Sequence, residues 1–340
     1  MTYGSPKPGH TIRFSRFFDP RRNNDPYLLT VVKTSGGRLP GWPGALSAIS
    51  IKGIYDGRPR GQKVLVTGSG RLDLYRFGGD SLQGRYYLLR LHPLSVAELG
   101  IDGPRDFLQL LRLGGFPAPY FSGSETEARR WSREYRTLLV REEITALERI
   151  QDLGHLELLM LRLPELVGSP LSVNALREDL QVSHKAVESW IGALERLYAV
   201  FRIAPLGAPR IHAVKKARKH YHLDWSVVTQ DAARFENLVA CHLLKWVHFG
   251  EDTQGRDLEL RYFRDIEGRE VDFVVTEARQ PRLLVECKWS DTEPDRNLRY
   301  LKGRFPDADA WQLSATGSKD YRSPDGLRVA PAIELLRTLV

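Results

Sequence analysis

Between Glu270 and Ser290 the chain alternates twice around a short turn-prone break, and no other pattern in it restricts the fold as much. Val271, Phe273 and Val275 alternate with Asp272 and Val274, predicting a strand with its large apolar residues on one face and Asp272 on the other. Leu283, Val285, Cys287 and Trp289 alternate in the same way with Leu284, Glu286 and Lys288. If the strands pair, Asp272, Glu286 and Lys288 meet at one spot. Two carboxylates that close resist joint ionisation unless a cation lies between them, and an all-oxygen donor set suits Mg²⁺ or Mn²⁺. A lysine beside them can orient a water or offset charge on a phosphate. Upstream, Phe235, Leu238, Val239, Leu243 and Trp246 form the apolar stripe of a helix over 234–247, with Glu236 beside the stripe. Glu-x-Lys alone is an ordinary cross-strand charge pattern. The succession Glu236, Asp272, Glu286, Lys288 is what carries the expectation of a catalytic cluster.

This arrangement resembles the active site of the PD-(D/E)XK nuclease-like fold, many members of which carry an extra acid on the preceding helix. The resemblance implies a C-terminal restriction-endonuclease-like α/β domain over residues 211–340. In it Asp272 and Glu286 would hold Mg²⁺, Lys288 would orient the attacking water, and Glu236 would assist.

A chain of 340 residues has room for two or three domains, each with its own core. No apolar run is long enough to span a bilayer, and no signal peptide is legible, so no membrane partner is expected. The two cysteines, Cys241 and Cys287, sit in apolar patterns, which fits a reducing cytoplasm and not a disulfide framework. A net charge of +8 is compatible with nucleic acid as a partner.

Residues 1–50 mix glycine, proline and arginine without a sustained period, and poor order is expected there apart from one strand over 27–33. Lys52–Asp56 reads as a helix end and Lys63–Thr67 as a buried strand of the parallel type, followed by a small polar loop where open α/β sheets bind ligands. Val-Thr-Gly-Ser at 66–69, Gly-Gly-Asp-Ser-Leu-x-Gly-Arg at 78–85 and Leu-x-Pro-Leu-Ser-x-x-Glu at 91–98 resemble a family of prokaryotic AAA-type ATPases with a C-terminal domain of unknown function. The likeness runs on through Gly114-Gly115-Phe116-Pro117, Lys219-His220-Tyr221-His222-Leu223-Asp224-Trp225 and the Asp272/Glu286/Lys288 motif, to a last strand near 310–316. It implies that Thr67, Ser69 and Arg85 would lie near the nucleotide. The family's Gly-x-x-x-x-Gly-Lys-Ser/Thr loop, whose backbone N–H groups and lysine grip the phosphates, is absent, as is the strand ending in Asp-Glu that holds Mg²⁺. The expectation is an N-terminally truncated member, or a shortened gene, that binds no ATP.

The rest reads as a helical region over 101–168 and a winged helix over 169–210, following a truncated nucleotide-binding core with a partial parallel sheet of P-loop type over 1–100: an α/β multidomain chain. Helices are predicted at 106–113, 125–150 and 156–163, the last stopped by Pro164. Val173, Leu176 and Leu180 mark one helix. After a turn at 181–183, with Ser183 as N-cap, Val187, Trp190, Ile191, Leu194 and Leu197 mark a second. The predicted DNA-facing residues are His184 and Lys185 at the start of that second helix, with Lys215, Lys216, Arg218 and Lys219 as a basic strip tracking a phosphate backbone. The same strip reads equally as a lysine-protected, solvated strand edge. Three functions follow: a degenerate ATPase-family protein, a Mg²⁺-dependent DNA nuclease, or a non-catalytic module that binds DNA or another protein.

Overall fold

The computed structural model describes residues 29–34, 56, 63–68, 86–140, 152–207 and 218–340. The chain divides into two compact units, one of Met1–Gly68 with Tyr75–Arg85 and one of Ser69–Leu74 with Tyr86–Val340. In the first, β1 (Leu29–Thr34) and β2 (Lys63–Gly68) pair in parallel, Leu29 opposite Lys63. Both expected strands lie there. Thr67 is the penultimate residue of β2, whereas Ser69, Arg85 and the rest of the opening fifty residues lie outside the described residues.

The second unit is built on an eight-stranded mixed sheet of order β4-β3-β5-β6-β7-β8-β10-β9. Its strands are β3 (Val200–Pro205), β4 (Lys219–His222), β5 (Leu258–Arg264), β6 (Glu270–Glu277), β7 (Gln280–Lys288), β8 (Asp309–Ser314), β9 (Tyr321–Arg322) and β10 (Arg328–Pro331). β5, β6 and β7 form an antiparallel meander, and β8 returns parallel to β7. The sheet therefore does not end near 310–316; β10 adds a further parallel strand and β9 closes that side.

The helices are α1 (Val96–Leu99), α2 (Pro104–Leu113), α3 (Pro117–Ser122), α4 (Glu125–Leu138), α5 (Leu153–Arg162), α6 (Val173–Leu180), α7 (His184–Arg196), α8 (Asp231–Gln254), α9 (Arg296–Arg304) and α10 (Ala332–Leu336). α8 lays Phe235, Leu238, Val239, Leu243 and Val247 on one face of the sheet, over Phe273, Val275, Leu283 and Val285. The same core takes in Val96, Ile101, Phe107 and Leu110. Val96, on α1, thus shares a core with the C-terminal sheet. α9 covers the opposite face, Leu298 and Leu301 packing on Val274 and Leu284. Val271 lies on that second face with Phe263, not with Phe273 and Val275 as alternation predicts. The β5–β6 register shifts between Arg261 and Phe263, and such an irregularity re-aims the residues beside it.

A separate apolar cluster joins α5, α6 and α7 through Leu156, Leu159, Leu176, Val187, Ile191 and Leu194. Ser172 and Ser183 cap α6 and α7, their hydroxyls accepting from Ala175 and Ala186 N–H at 3.2 and 3.1 Å. α5 passes through Pro164 as a short 3₁₀ turn (Leu163–Leu166) instead of stopping before it. α4 is described only to Leu138, and the predicted continuation through 150 lies mostly outside the described residues. β3 and β4 form an antiparallel hairpin, and β3 also meets β5 at Ala204–Arg261 and Pro205–Tyr262. The helical cluster and the C-terminal sheet are thereby continuous through β3.

Candidate functional site

At the site β6 and β7 part. Their ladder runs from Glu277–Gln280 to Phe273–Val285 and stops. Beyond it, side chains take over from the backbone: the Asp272 N–H donates to Glu286 Oε2 at 3.3 Å, and the Cys287 N–H donates to Asp272 Oδ2 at 2.9 Å. The two carboxyl groups are thereby brought together, each holding a backbone amide of the other's strand. Lys288 lies beside them, its Nζ donating to Glu286 Oε1 at 2.8 Å and to Asp295 Oδ2 at 2.9 Å. Asp295 is also the N-cap of α9, its other oxygen accepting from the Asn297 and Leu298 N–H groups. One carboxylate thus starts a helix and fixes the lysine.

Glu236 comes from the first turns of α8. Its Oε1 accepts from the Tyr221 hydroxyl at 2.7 Å. Oε2 faces Gly168, where φ is +81° and an added Cβ would stand 2.7 Å away, so glycine meets both a backbone and a packing demand. Asn237, next along α8, clamps β4, accepting from the His222 N–H and donating to the His222 carbonyl. This clamp sets Tyr221 and Lys219, two residues apart on one face of β4, against the carboxylates.

Lys219 is the residue that sequence reasoning put elsewhere. Its side chain is 1 % exposed, and Nζ lies 2.6 Å from Glu270 Oε1, 3.5 Å from Glu236 Oε1 and 3.6 Å from Asp272 Oδ1. Its side chain does not reach the surface, and β4 is not a solvated edge: all four of its residues are buried. The missed signal was the alternation of Lys219 with Tyr221, which gives a lysine and an aromatic one shared strand face. Glu270 was missed too, although it lies two residues before Asp272 on the same strand.

The electrostatics follow from five carboxyl groups (Glu236, Glu270, Asp272, Glu286, Asp295) facing two ammonium groups and the outlying Arg264, 3.6 Å from Glu270. Burial, then the charge of Asp272, pushes Glu236 up to about 7 and Glu286 up to about 8. Burial raises Asp272 as well. Burial disfavours charge on Lys219, but Glu236, Asp272 and Glu270 outweigh it and hold the ammonium above the usual lysine range. The same balance holds Lys288 above that range, through Glu286 and Asp295. A raised Lys288 needs an ionised Glu286, whereas burial drives Glu286 towards neutrality. The 2.8 Å contact decides for the charged lysine. The protons the cluster retains are shared among Glu236, Asp272 and Glu286.

A hard divalent cation is matched in kind by these oxygen donors, and the Lys219 ammonium stands among them as a cation already. Among the described residues, however, no three acidic, histidine or cysteine side chains are grouped so as to chelate an ion as they stand. Lys219 lies between the carboxylates, and two of their oxygens hold backbone amides.

The remaining predicted residues are dispersed. His184 and Lys185 are exposed at the start of α7, and Arg218 is half-buried. Lys215 and Lys216 lie outside the described residues. Glu188, one turn further along α7, is 3.6 Å from Arg202, a partner that offsets its charge. His220 and His222 are buried, and His220 Nε2 donates to the Leu163 carbonyl at 2.8 Å.

The Gly114-Gly115 pair is explained by packing. A Cβ on Gly115 would collide with the Trp225 ring, and Gly114, at φ +82°, lies against Asp224. Asp224 in turn accepts from the Ser132 hydroxyl at 2.6 Å, and the Trp225 indole donates to the Leu110 carbonyl at 3.1 Å. Two of the sequence segments that carry the family resemblance thus form one buried joint.

Residues 232–335 match a domain of unknown function, DUF4143, and residues 104–236 match another, DUF8612. The first is found in C-terminal regions associated with AAA ATPases. That match spans under a third of the chain and supports only a weak link to an ATPase-associated family. No curated protein and no solved structure matches it. The two matches meet within α8, so Lys219 falls in the first region and Asp272, Glu286 and Lys288 in the second. Among the described residues no helix is long and apolar enough to cross a membrane.

Proposed function

We propose that the sheet domain is a PD-(D/E)XK-type nuclease module of an ATPase-associated protein, acting on DNA phosphodiesters with Mg²⁺. One observation carries this reading: Asp272 and Glu286 converge where β6 and β7 part, with Lys288 fixed beside them by Asp295. The succession helix α8, meander β5–β7, helix α9 and parallel β8 supports it. Asp272, Glu286 and Glu236 would hold the metal, which neutralises phosphate charge and makes water a better nucleophile. Lys288, held between Glu286 and Asp295, would orient the water or the phosphate oxygen. The test is nicking of supercoiled DNA in Mg²⁺ or Mn²⁺ by wild type and by Asp272→Asn, which retains an acceptor for the Cys287 N–H. A loss of at least about 100-fold is expected; equal nicking by the two would overturn the reading.

A second reading is favoured by Lys219, which fills the place a metal would need: a non-catalytic module that binds DNA through α5–α7 and the β3/β4 hairpin, a winged-helix arrangement. His184 and Lys185, exposed at the start of α7, would make the contact. Lys185→Glu should then weaken duplex binding, measured by fluorescence anisotropy at low salt, and flatten its salt dependence. Unchanged affinity would remove this reading. ATP binding is not part of either, since the sequence holds no phosphate-binding loop.

A further inference from the structure

Lys219 is unusual among the charged residues here because its side chain is almost wholly withdrawn from water and sits among three acids from two different elements. Its delivery is built in at several points. Asn237 clamps β4 to α8, Pro170 bridges to Lys219 itself, and Tyr262 presents its ring 5.5 Å from Nζ. The contacts of 2.6–3.6 Å are those of an ammonium with carboxylates, whereas Mg²⁺ draws its oxygens to about 2.1 Å. A dication in the same place would be repelled by the ammonium twice as strongly as a monocation would. It would also need the Glu236 and Asp272 oxygens that now face Nζ.

We infer that the Lys219 ammonium and a divalent cation exclude one another at the Glu236–Asp272–Glu286 cluster, so that Lys219 holds the site closed and metal enters only when that side chain is displaced. This rests on the nuclease-like reading of the site, and its test reads metal binding, not cleavage.

The experiment is Mn²⁺ titration of the full chain, followed by electron paramagnetic resonance, for wild type, Lys219→Met and Lys219→Met with Asp272→Asn. Lys219→Met keeps the length of the side chain and removes its charge. It is expected to bind Mn²⁺ at least about tenfold more tightly than wild type, and Asp272→Asn is expected to abolish the gain. Equal affinity in wild type and Lys219→Met would overturn the inference. If Lys219→Met does not fold alone, millimolar Mn²⁺ should restore its folding, because the metal then takes over the charge the ammonium supplied; failure to restore it counts against the inference. The two readings separate cleanly. Mn²⁺ binding gained in Lys219→Met without any nicking sustains the exclusion and removes the nuclease. Nicking by wild type, with Mn²⁺ affinity indifferent to residue 219, does the reverse.

Discussion

Lys219 and Lys245, the buried lysines among the described residues, answer to opposite arrangements. Lys245, on α8, meets a single acid, Glu98, together with the Pro93 carbonyl at 3.0 Å. Glu98 closes the capping box of α1 as well, reaching back to the Ser95 N–H at 3.0 Å. Burial wins there, and Lys245 is held below the usual lysine range despite Glu98. Lys219 meets three acids and is held above it. A one-to-one pair tying two elements together is a strut. A lysine in a nest of surplus acid neutralises a site that would otherwise repel itself.

The contrast is most open to attack at Glu98. Glu98→Ala leaves Lys245 buried without a counter-charge and should cost about 3–5 kcal/mol in urea unfolding; a loss below about 1 kcal/mol would mean that Lys245 reaches water.

The pH dependence of stability comes next. Glu236 and Glu286 have ordinary values of 4.5, raised to about 7 and about 8 in the fold. Between those limits the folded state holds protons that the unfolded chain has released. This part of the stability is complete below about pH 4.5 and is lost as pH rises through about 8, at up to about 1.4 kcal/mol per pH unit for each proton. Lys245 works the other way: depressed in the fold, it favours the folded chain as pH climbs towards the ordinary lysine range. Glu286→Gln should flatten the fall between pH 5 and 8 expected in thermal melts, and an unchanged slope would show that Glu286 titrates normally.

The smallest effect is expected at Glu236. Glu236→Gln keeps an acceptor for the Tyr221 hydroxyl and leaves Lys219 with Glu270 and Asp272, so less than about 1 kcal/mol should be lost. A loss as large as that of Glu98→Ala would erase the difference between strut and nest.

How much of this could be read from the sequence divides along the same line. Asp272, Glu286 and Lys288 were legible as neighbours because they lie near the same end of two adjacent strands. α6 and α7 were legible because serine caps and apolar spacings are local. Lys219 was not. Its neighbours in sequence, Lys215, Lys216 and Arg218, make it look like one charge in a surface strip. Only the pairing of β4 with β3 and the Asn237 clamp turn it inwards, and both depend on residues distant in the chain. Val271 was misassigned for a related reason: a register shift between β5 and β6 breaks the alternation, and a single strand does not announce it.

Where β6 and β7 separate, the acids that would do chemistry also serve as the last rungs of the sheet. Whatever draws Asp272 or Glu286 towards itself unhitches an amide of the opposite strand. Arrival of a ligand would therefore be registered as a loosening at this fork, detectable as faster amide exchange at Asp272 and Cys287.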